Sequence, residues 1–183
     1  RNEGSTDYAT IPEVTLAGDF VIEFDLHLTE LYDWNTVIDS SLEPNLNECW
    51  VYANGAIGVR LGGIADAQAL VTPSGLIEAG RLYNIRLCRE GAIESVIIDG
   101  VVAASRNKPL GNGVSIDGIF GRNASNSKLK GILANLKIYD NGTLVRNYPI
   151  NDGKNILANA ATALGSELDG LTYALTTAIG GVA

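Results

Sequence analysis

The stretch from Asp19 to Glu30 constrains the fold of this chain more than any other. Apolar residues there alternate strictly with mostly polar ones, and the apolar set is Phe20, Ile22, Phe24, Leu26 and Leu28. Successive side chains of a strand point to opposite faces of its sheet, so this pattern predicts a half-buried antiparallel strand. The lone histidine, His27, is on the polar side of the pattern, where we expect it to face solvent.

Shorter segments of the same kind follow along the chain. We predict strands at 36–39, 49–53, 56–61, 81–89, 94–98, 101–105, 115–121, 128–140 and 143–150, about ten in all. Asn54-Gly55 predicts a type I′ hairpin turn, and Asp99-Gly100 and Asn141-Gly142 also mark turns. The sequence therefore predicts an all-β, two-sheet antiparallel sandwich with at most one short helix, at 155–168.

The chain organisation and charge limit the function classes. We expect one domain over residues 1–183, in which 152–183 forms a last strand or an assembly contact. The net charge of −8 argues against partners that carry dense negative charge, both nucleic acid and anionic lipid. No apolar run approaches the length of a membrane span. Methionine is absent, so we expect the chain to be a processed or excised piece.

Five segments in order carry a family resemblance. Residues 7–12 with 18–24, then 79–87, 95–101 and 131–140, resemble the strands of the laminin-G-like, concanavalin A-like jelly-roll superfamily. The resemblance covers roughly residues 5–152. It implies a sandwich of the lectin and glucanase type, whose members often bind carbohydrate.

A narrower resemblance is to such domains in the appendage proteins of tailed bacteriophages. Residues 137–152 are similar to segments of phage tail and capsid fibres. This implies a non-enzymatic virion structural protein, a fibre or decoration module, that contacts sister subunits as a homo-oligomer, with a trimer favoured. The location it implies is the virion, or the extracellular space if the source is not a phage. The alternative is an extracellular carbohydrate-binding module of a larger protein.

The glucanases of this superfamily provide a test for enzymatic activity. They carry Glu-x-Asp-x-x-Glu on one strand, or a variant with one more residue before the last acid. Glu23 and Asp25 fit the beginning, but the third position holds Leu28 or Thr29. A glycosidase needs two suitably spaced carboxyl groups, and this pattern is incomplete. We therefore expect no catalytic residues, with a glycoside hydrolase as the distant alternative.

A loop after the first long strand predicts a ligand site. Tyr32, Asp33 and Trp34 combine rings that can stack on a sugar with a polar group that can bond hydroxyls. Core packing and ligand contact both remain open for Trp34, whereas a position inside a strand favours core packing for Trp50. Asn123 and Asn126, in a second polar loop, complete the predicted ligand-binding set.

No cofactor is expected. Calcium is the one metal considered, because related domains often bind it, but the loop acids Asp33, Asp39, Asp66 and Asp152 are scattered. Cys49 and Cys88 are predicted to be reduced and packed in or near strands. The apolar C-terminus allows two interpretations, a contact with a neighbouring subunit or a return along the first strand as a sheet edge.

Overall fold

The computed structural model describes residues 8–40, 47–62, 68–108, 113–119, 129–148 and 172–174. The predicted helical stretch 155–168 lies outside these residues. The strands, in chain order, are β1 (Tyr8–Leu16), β2 (Phe20–Leu28), β3 (Asn35–Asp39), β4 (Glu48–Val51), β5 (Ile57–Arg60), β6 (Leu70–Val71), β7 (Leu82–Glu90), β8 (Ile93–Ile98), β9 (Val101–Asn107), β10 (Val114–Ile119), β11 (Gly131–Asp140), β12 (Thr143–Tyr148) and β13 (Thr172–Ala174).

These strands form two antiparallel sheets. One sheet has the order β13-β1-β10-β3-β4-β5-β6, and the other has the order β12-β11-β2-β7-β8-β9. The predicted two-sheet β-sandwich is confirmed. Strand β6, which has only two residues, comes in addition to the predicted strands, whereas β1 overlaps the expected first strand pair and β13 lies in the segment expected to form a last strand. Strand β13 pairs with β1 at a sheet edge, which is the second interpretation of the C-terminal segment.

The core lies between the sheets and is built by alternation. On β2, all five predicted apolar residues are at most 2% exposed. They pack with inward residues of the neighbouring strands, including Ile85, Leu87, Leu133 and Ile138. Burial of this apolar surface stabilises the sandwich by roughly 25 cal/mol per Å².

The outward side chains of the six-stranded sheet are aligned in cross-strand rows. One row joins Lys137, Glu23 and Arg86, and the next joins Asp25 to Asn84. His27 belongs to this outer face but is half-buried, because it lies opposite Leu82 on one side and Ile132 on the other. It is therefore less exposed than the polar side of the pattern predicted.

Two of the three glycine turns are tight hairpins of the I′ kind. Both residues of Asp99-Gly100 and of Asn141-Gly142 have positive φ. Asn54-Gly55 does lie in a hairpin between β4 and β5, but the type I′ turn predicted there is wrong, since only Gly55 has positive φ, at 75°. Asn54 Oδ1 instead accepts a hydrogen bond from the Ala56 amide, and the loop closes through the Gly55 amide and the Tyr52 carbonyl. Because the Asn54 side chain accepts this hydrogen bond, the turn closes without the left-handed backbone conformation that a type I′ turn requires at Asn54.

Candidate functional site

The loop between β2 and β3 presents Trp34 in a constrained backbone conformation. Trp34 has φ of 66°, a left-handed value that is a genuine outlier for a bulky side chain. The fully buried Asn35 holds the loop, because its Nδ2 donates to the Tyr32 carbonyl at 2.6 Å and to the Val51 carbonyl at 3.3 Å. The amide thus ties the loop to β4 and fixes the position from which the Trp34 indole projects.

Three aromatic side chains, Trp34, Trp50 and Tyr52, form what we call the aromatic cluster. The Trp34 and Trp50 ring centroids are 5.3 Å apart, and Tyr52 lies 5.6 Å from Trp34 and 5.7 Å from Trp50. Each pair adds about 0.5–1.5 kcal/mol beyond area burial. Trp50 is 1% exposed, whereas Trp34 is 41% exposed. The cluster therefore has a buried base and one partly open ring.

The base of the cluster lies on the outer face of the seven-stranded sheet. Cys49 and Val51, on either side of Trp50 in β4, belong to the inter-sheet core, so alternation directs Trp50 outward. Trp50 was predicted to pack in the core; it is buried, but against its own sheet. Its cross-strand partner is Gly58 on β5, and a Cβ there would lie only 2.4 Å from Trp50 Cε2. The missing side chain is what lets the indole lie flat on the strand.

A buried ion pair closes one side of this base. Glu48 and Arg60 are cross-strand partners, and Arg60 Nη2 lies 2.5 Å from Glu48 Oε2. The Arg60 guanidinium carbon is also 6.0 Å from the Trp50 ring centroid, within the range of a cation–π contact. Trp50 thus contacts two aromatic rings and the Arg60 guanidinium, although its Nε1 has no hydrogen-bond acceptor within the described part of the chain.

The rim of the site is formed by Tyr32 and its neighbours. Lys130 Nζ lies 5.0 Å from the Tyr32 ring centroid and pairs with Glu30. The Thr29 amide and hydroxyl both donate to the Lys130 carbonyl, which joins this loop to the segment before β11. Tyr32 is half-buried, and Asp33 is exposed beside Trp34. The three predicted residues are thus consecutive in one loop, with the Tyr32 ring against Lys130 and the Trp34 ring against Trp50 and Tyr52.

The predicted site and the observed aromatic cluster differ in several residues. Asn123 and Asn126 lie outside the described residues. The sequence interpretation missed Tyr52, although period-two alternation places it on the same face as Trp50, and it missed Gly58, whose place opposite Trp50 is set by the pairing of β4 with β5. It also missed the supporting role of Asn35, because one of the two carbonyls that its side chain bonds, that of Val51, belongs to a neighbouring strand.

Several solved structures are similar to this architecture at low sequence identity. Domains LG4-5 of the mouse laminin alpha1 chain match with a TM-score of 0.60, at 14% identity, over 93% of this chain and 44% of that chain. The native heptameric SAP-like pentraxin of Limulus polyphemus matches with a TM-score of 0.56, at 10% identity, over 94% and 88%. The chain has a concanavalin A-like jelly-roll fold.

A third structure with this fold is a candidate carbohydrate-binding protein from Bacteroides ovatus. It matches with a TM-score of 0.53 at 12% identity, over 92% of this chain. The jelly roll spans 51% of that chain, as it spans 44% of the laminin chain. No protein-family model and no curated protein matches the sequence.

The acid pair tested for glycosidase chemistry lies on the outer face of the six-stranded sheet of this jelly roll. Asp25 accepts hydrogen bonds from Asn84 Nδ2 at 3.0 Å and from Asn135 Nδ2 at 2.7 Å. Glu23 Oε2 lies 3.7 Å from Arg86 Nε. Leu28, one position for the missing third acid, is buried in the core. Both carboxylates are thus engaged by neighbouring amides and a guanidinium.

The remaining predicted groups are dispersed. Asp33 is exposed in the loop, Asp39 is buried at the end of β3, and Asp66 and Asp152 lie outside the described residues. Within the described ranges, no three His, Cys, Asp or Glu side chains converge as metal ligands would. Cys49 and Cys88 are free thiols. In these same ranges no helix has the length and apolarity needed to cross a membrane.

Proposed function

We propose that this jelly roll is a non-enzymatic carbohydrate-binding module whose ligand stacks on Trp34. The observation that carries the proposal is a partly exposed indole held rigidly on a buried aromatic base. One fold hosts many functions, so the argument depends on this site and not on the fold.

The chemistry of the aromatic cluster suits a sugar. The apolar C–H face of a pyranose packs on an aromatic ring, and a few polar groups then orient the hydroxyls. The exposed Asp33 carboxylate is a hydrogen-bond acceptor beside the ring, and Tyr32 supplies a second aromatic edge. The proposed contacts also include Asn123 and Asn126.

Preorganisation supports the same function. Ordering a free side chain on binding costs about 0.5–1.5 kcal/mol. Trp34 avoids much of that cost, because Asn35 fixes its backbone and two rings hold the indole. A strained left-handed residue is typical of sites where the surroundings impose a conformation for binding.

Tryptophan fluorescence and glycan screening test the proposal together. A Trp34→Phe variant retains only Trp50, so its emission should shift to the blue and become less sensitive to acrylamide than that of the wild type. A glycan that binds the wild type should protect it from quenching and bind Trp34→Ala at least about tenfold more weakly, the loss of roughly 1.4 kcal/mol. Leu82→Ala, at a 60% exposed apolar residue on the other sheet, is the matched control.

The proposal fails if Trp34 is already shielded from quencher in the free protein. It also fails if Trp34→Ala keeps wild-type affinity for every glycan that the wild type binds.

The absence of hydrolase activity is part of the proposal. It is supported by Leu28 and Thr29 in place of the third acid and by the hydrogen bonds that engage Asp25. Incubation with β-glucans should release no reducing sugar. Release that Glu23→Gln abolishes would instead favour the alternative, a glycoside hydrolase.

The wider setting that we propose is a virion, as a tail fibre or decoration module, or otherwise the extracellular space as part of a larger protein. The resemblance of residues 137–152 to phage fibre segments supports this. Sister subunits in a trimer are the proposed partners, with cell-surface glycan as the ligand and neither nucleic acid nor membrane insertion. Sedimentation analysis decides the subunit state, since a monomer would contradict the trimer.

The module is proposed to act without a cofactor, calcium included. Isothermal titration with calcium should show no binding, and a saturable micromolar response would overturn this part.

A further inference from the structure

A second cluster of functional groups lies on β7, β8 and the end of β9, next to the segments that follow β5 and precede β6. Three cations, Arg89, Arg106 and Lys108, surround a single carboxylate, that of Glu94. Arg106 contacts Glu94 Oε2 through Nε at 2.8 Å and Nη2 at 2.7 Å. Arg89 Nη1 and Lys108 Nζ lie 3.7 Å and 3.8 Å from Glu94 Oε1. We call these four residues the cationic cluster.

The cationic cluster also joins the sheets. Lys108 Nζ donates to the Leu61 carbonyl at 2.8 Å, and Arg106 Nη1 donates to the Gln68 carbonyl. Both carbonyls belong to segments next to β5 and β6, on the opposite sheet. These neutral contacts position the cations but leave their charge uncompensated.

The charges in this cluster do not balance. No second carboxylate contacts the three cations in the described part of the chain, so two positive charges are in excess when all four groups are ionised. The side chains of Arg89 and Glu94 are only 5% and 7% exposed. Buried charge without a partner is costly. Burial and the two neighbouring guanidinium groups lower the pKa of Lys108, with Glu94 opposing them, which agrees with an electropositive site.

Three buried polar atoms in the cluster lack hydrogen-bond partners among the described residues: Arg89 Nη1, Glu94 Oε1 and Arg106 Nη2, the last of which still pairs with Glu94 Oε2 at 2.7 Å. Arg89 Nη1 is a donor and Glu94 Oε1 is an acceptor, and neither makes a hydrogen bond among the described residues. Their separation of 3.7 Å is too long for a direct hydrogen bond, but an oxygen atom that lies to one side of the pair, about 2.8 Å from each, can bond to both. That oxygen must accept from Arg89 and donate to Glu94, so it must carry a hydrogen.

We infer that the cationic cluster binds a small oxyanion that carries a proton, hydrogen phosphate or a phosphate monoester. Its P–OH oxygen bridges Arg89 and Glu94, and its negative oxygens meet Arg106 and Lys108. Those two side chains are 21% and 17% exposed, so the anion reaches them from solvent. This site is separate from the aromatic cluster and does not depend on the proposed sugar binding.

Titration calorimetry on the full chain tests the inference. Inorganic phosphate should bind at one site per chain. Sulfate should bind about tenfold or more weakly at neutral pH, because it carries no proton for Glu94 and loses one charge-assisted hydrogen bond. Lys108→Gln should weaken phosphate binding by a similar factor. Arg81→Gln, which removes a cation from the exposed Arg81–Asp99 pair, should leave it unchanged.

Glu94→Gln provides a readout that a purely structural cluster would not give. The variant replaces the carboxylate that accepts the phosphate proton by an amide that can donate, so the preference for phosphate should disappear and sulfate should raise its melting temperature as much as phosphate does. Phosphate is compared with sulfate at equal ionic strength, since both salts stabilise proteins generally.

Three results would overturn the inference. They are no saturable phosphate binding, equal affinity for sulfate and phosphate, and unchanged phosphate affinity in Lys108→Gln. Any of them would mean that the cationic cluster has only a structural role.

Discussion

Replacement of Gly58 by alanine tests the geometry of the aromatic cluster directly. An added Cβ would lie 2.4 Å from Trp50 Cε2, 2.5 Å from Cζ2 and 2.7 Å from Nε1. Carbon atoms pack at about 3.5–4.0 Å, so the indole must move by roughly an ångström or more. Trp50 is 1% exposed and bounded by Trp34 and Tyr52, so it has no open space to enter.

The sign of the stability change follows from two opposed effects. Glycine is unfavourable within a strand by roughly 0.5–1 kcal/mol relative to alanine, so Gly58→Ala would be stabilising if the methyl group had room. Overpacking a filled site typically costs about 1–3 kcal/mol, which is the larger effect. We expect a net loss of about 1–2 kcal/mol in the free energy of unfolding, together with a displaced Trp34.

Gly118→Ala is the matched control. Gly118 also lies within a strand, β10, but a Cβ there would be 3.6 Å from the nearest atom, the Asp39 carbonyl oxygen, which is an ordinary contact. Urea unfolding of both variants, at unchanged dependence on denaturant, gives the two free energies. Gly118→Ala should be neutral or slightly stabilised.

A double-mutant cycle isolates the clash. Trp50→Phe removes the three ring atoms nearest to the added methyl group, so Gly58→Ala should cost less in that background. The contact between the Trp50 indole and Gly58 would be refuted if Gly58→Ala unfolded with the same free energy as Gly118→Ala and showed no coupling to Trp50.

Three further predictions concern single groups. Asn35→Ala should lower the free energy of unfolding by about 1–3 kcal/mol, because two backbone carbonyls lose their donor, and a smaller loss in urea unfolding than in an exposed Asn107→Ala control would contradict this. Burial raises the pKa of both thiols, but Cys88 is half-buried and Cys49 fully buried, so a thiol reagent should modify Cys88 first and Cys49 only on unfolding. Burial lowers the pKa of Lys108 in the folded state, so the unfolded chain binds more protons between that pKa and the ordinary value of 10.5. The free energy of unfolding should therefore rise with pH across this window. Lys108→Gln should remove that rise.

The sequence by itself determined the strands and most of their turns. Alternation on β2 is a local property, since adjacent side chains of an extended chain must face opposite sides, and it correctly predicted which residues reach the core. Asp99-Gly100 and Asn141-Gly142 likewise act through their own backbone preferences. Asn54-Gly55 departed from its prediction because a side-chain hydrogen bond to Ala56 competed with the left-handed conformation at Asn54.

Only the tertiary structure decided what the aromatic residues do. The sequence places Trp34 in a loop and Trp50 in a strand, but their contact depends on β3 pairing with β4 in one register. Whether Trp50 faces the core or the outside depends on the same register, because a shift of one residue reverses every side chain. The cationic cluster was likewise invisible in the sequence, since Glu94 meets Arg106 only through the pairing of β8 with β9, and Leu61 and Gln68 come from the other sheet. Alternation is encoded in neighbours along the chain, whereas these sites are encoded in which strands lie side by side.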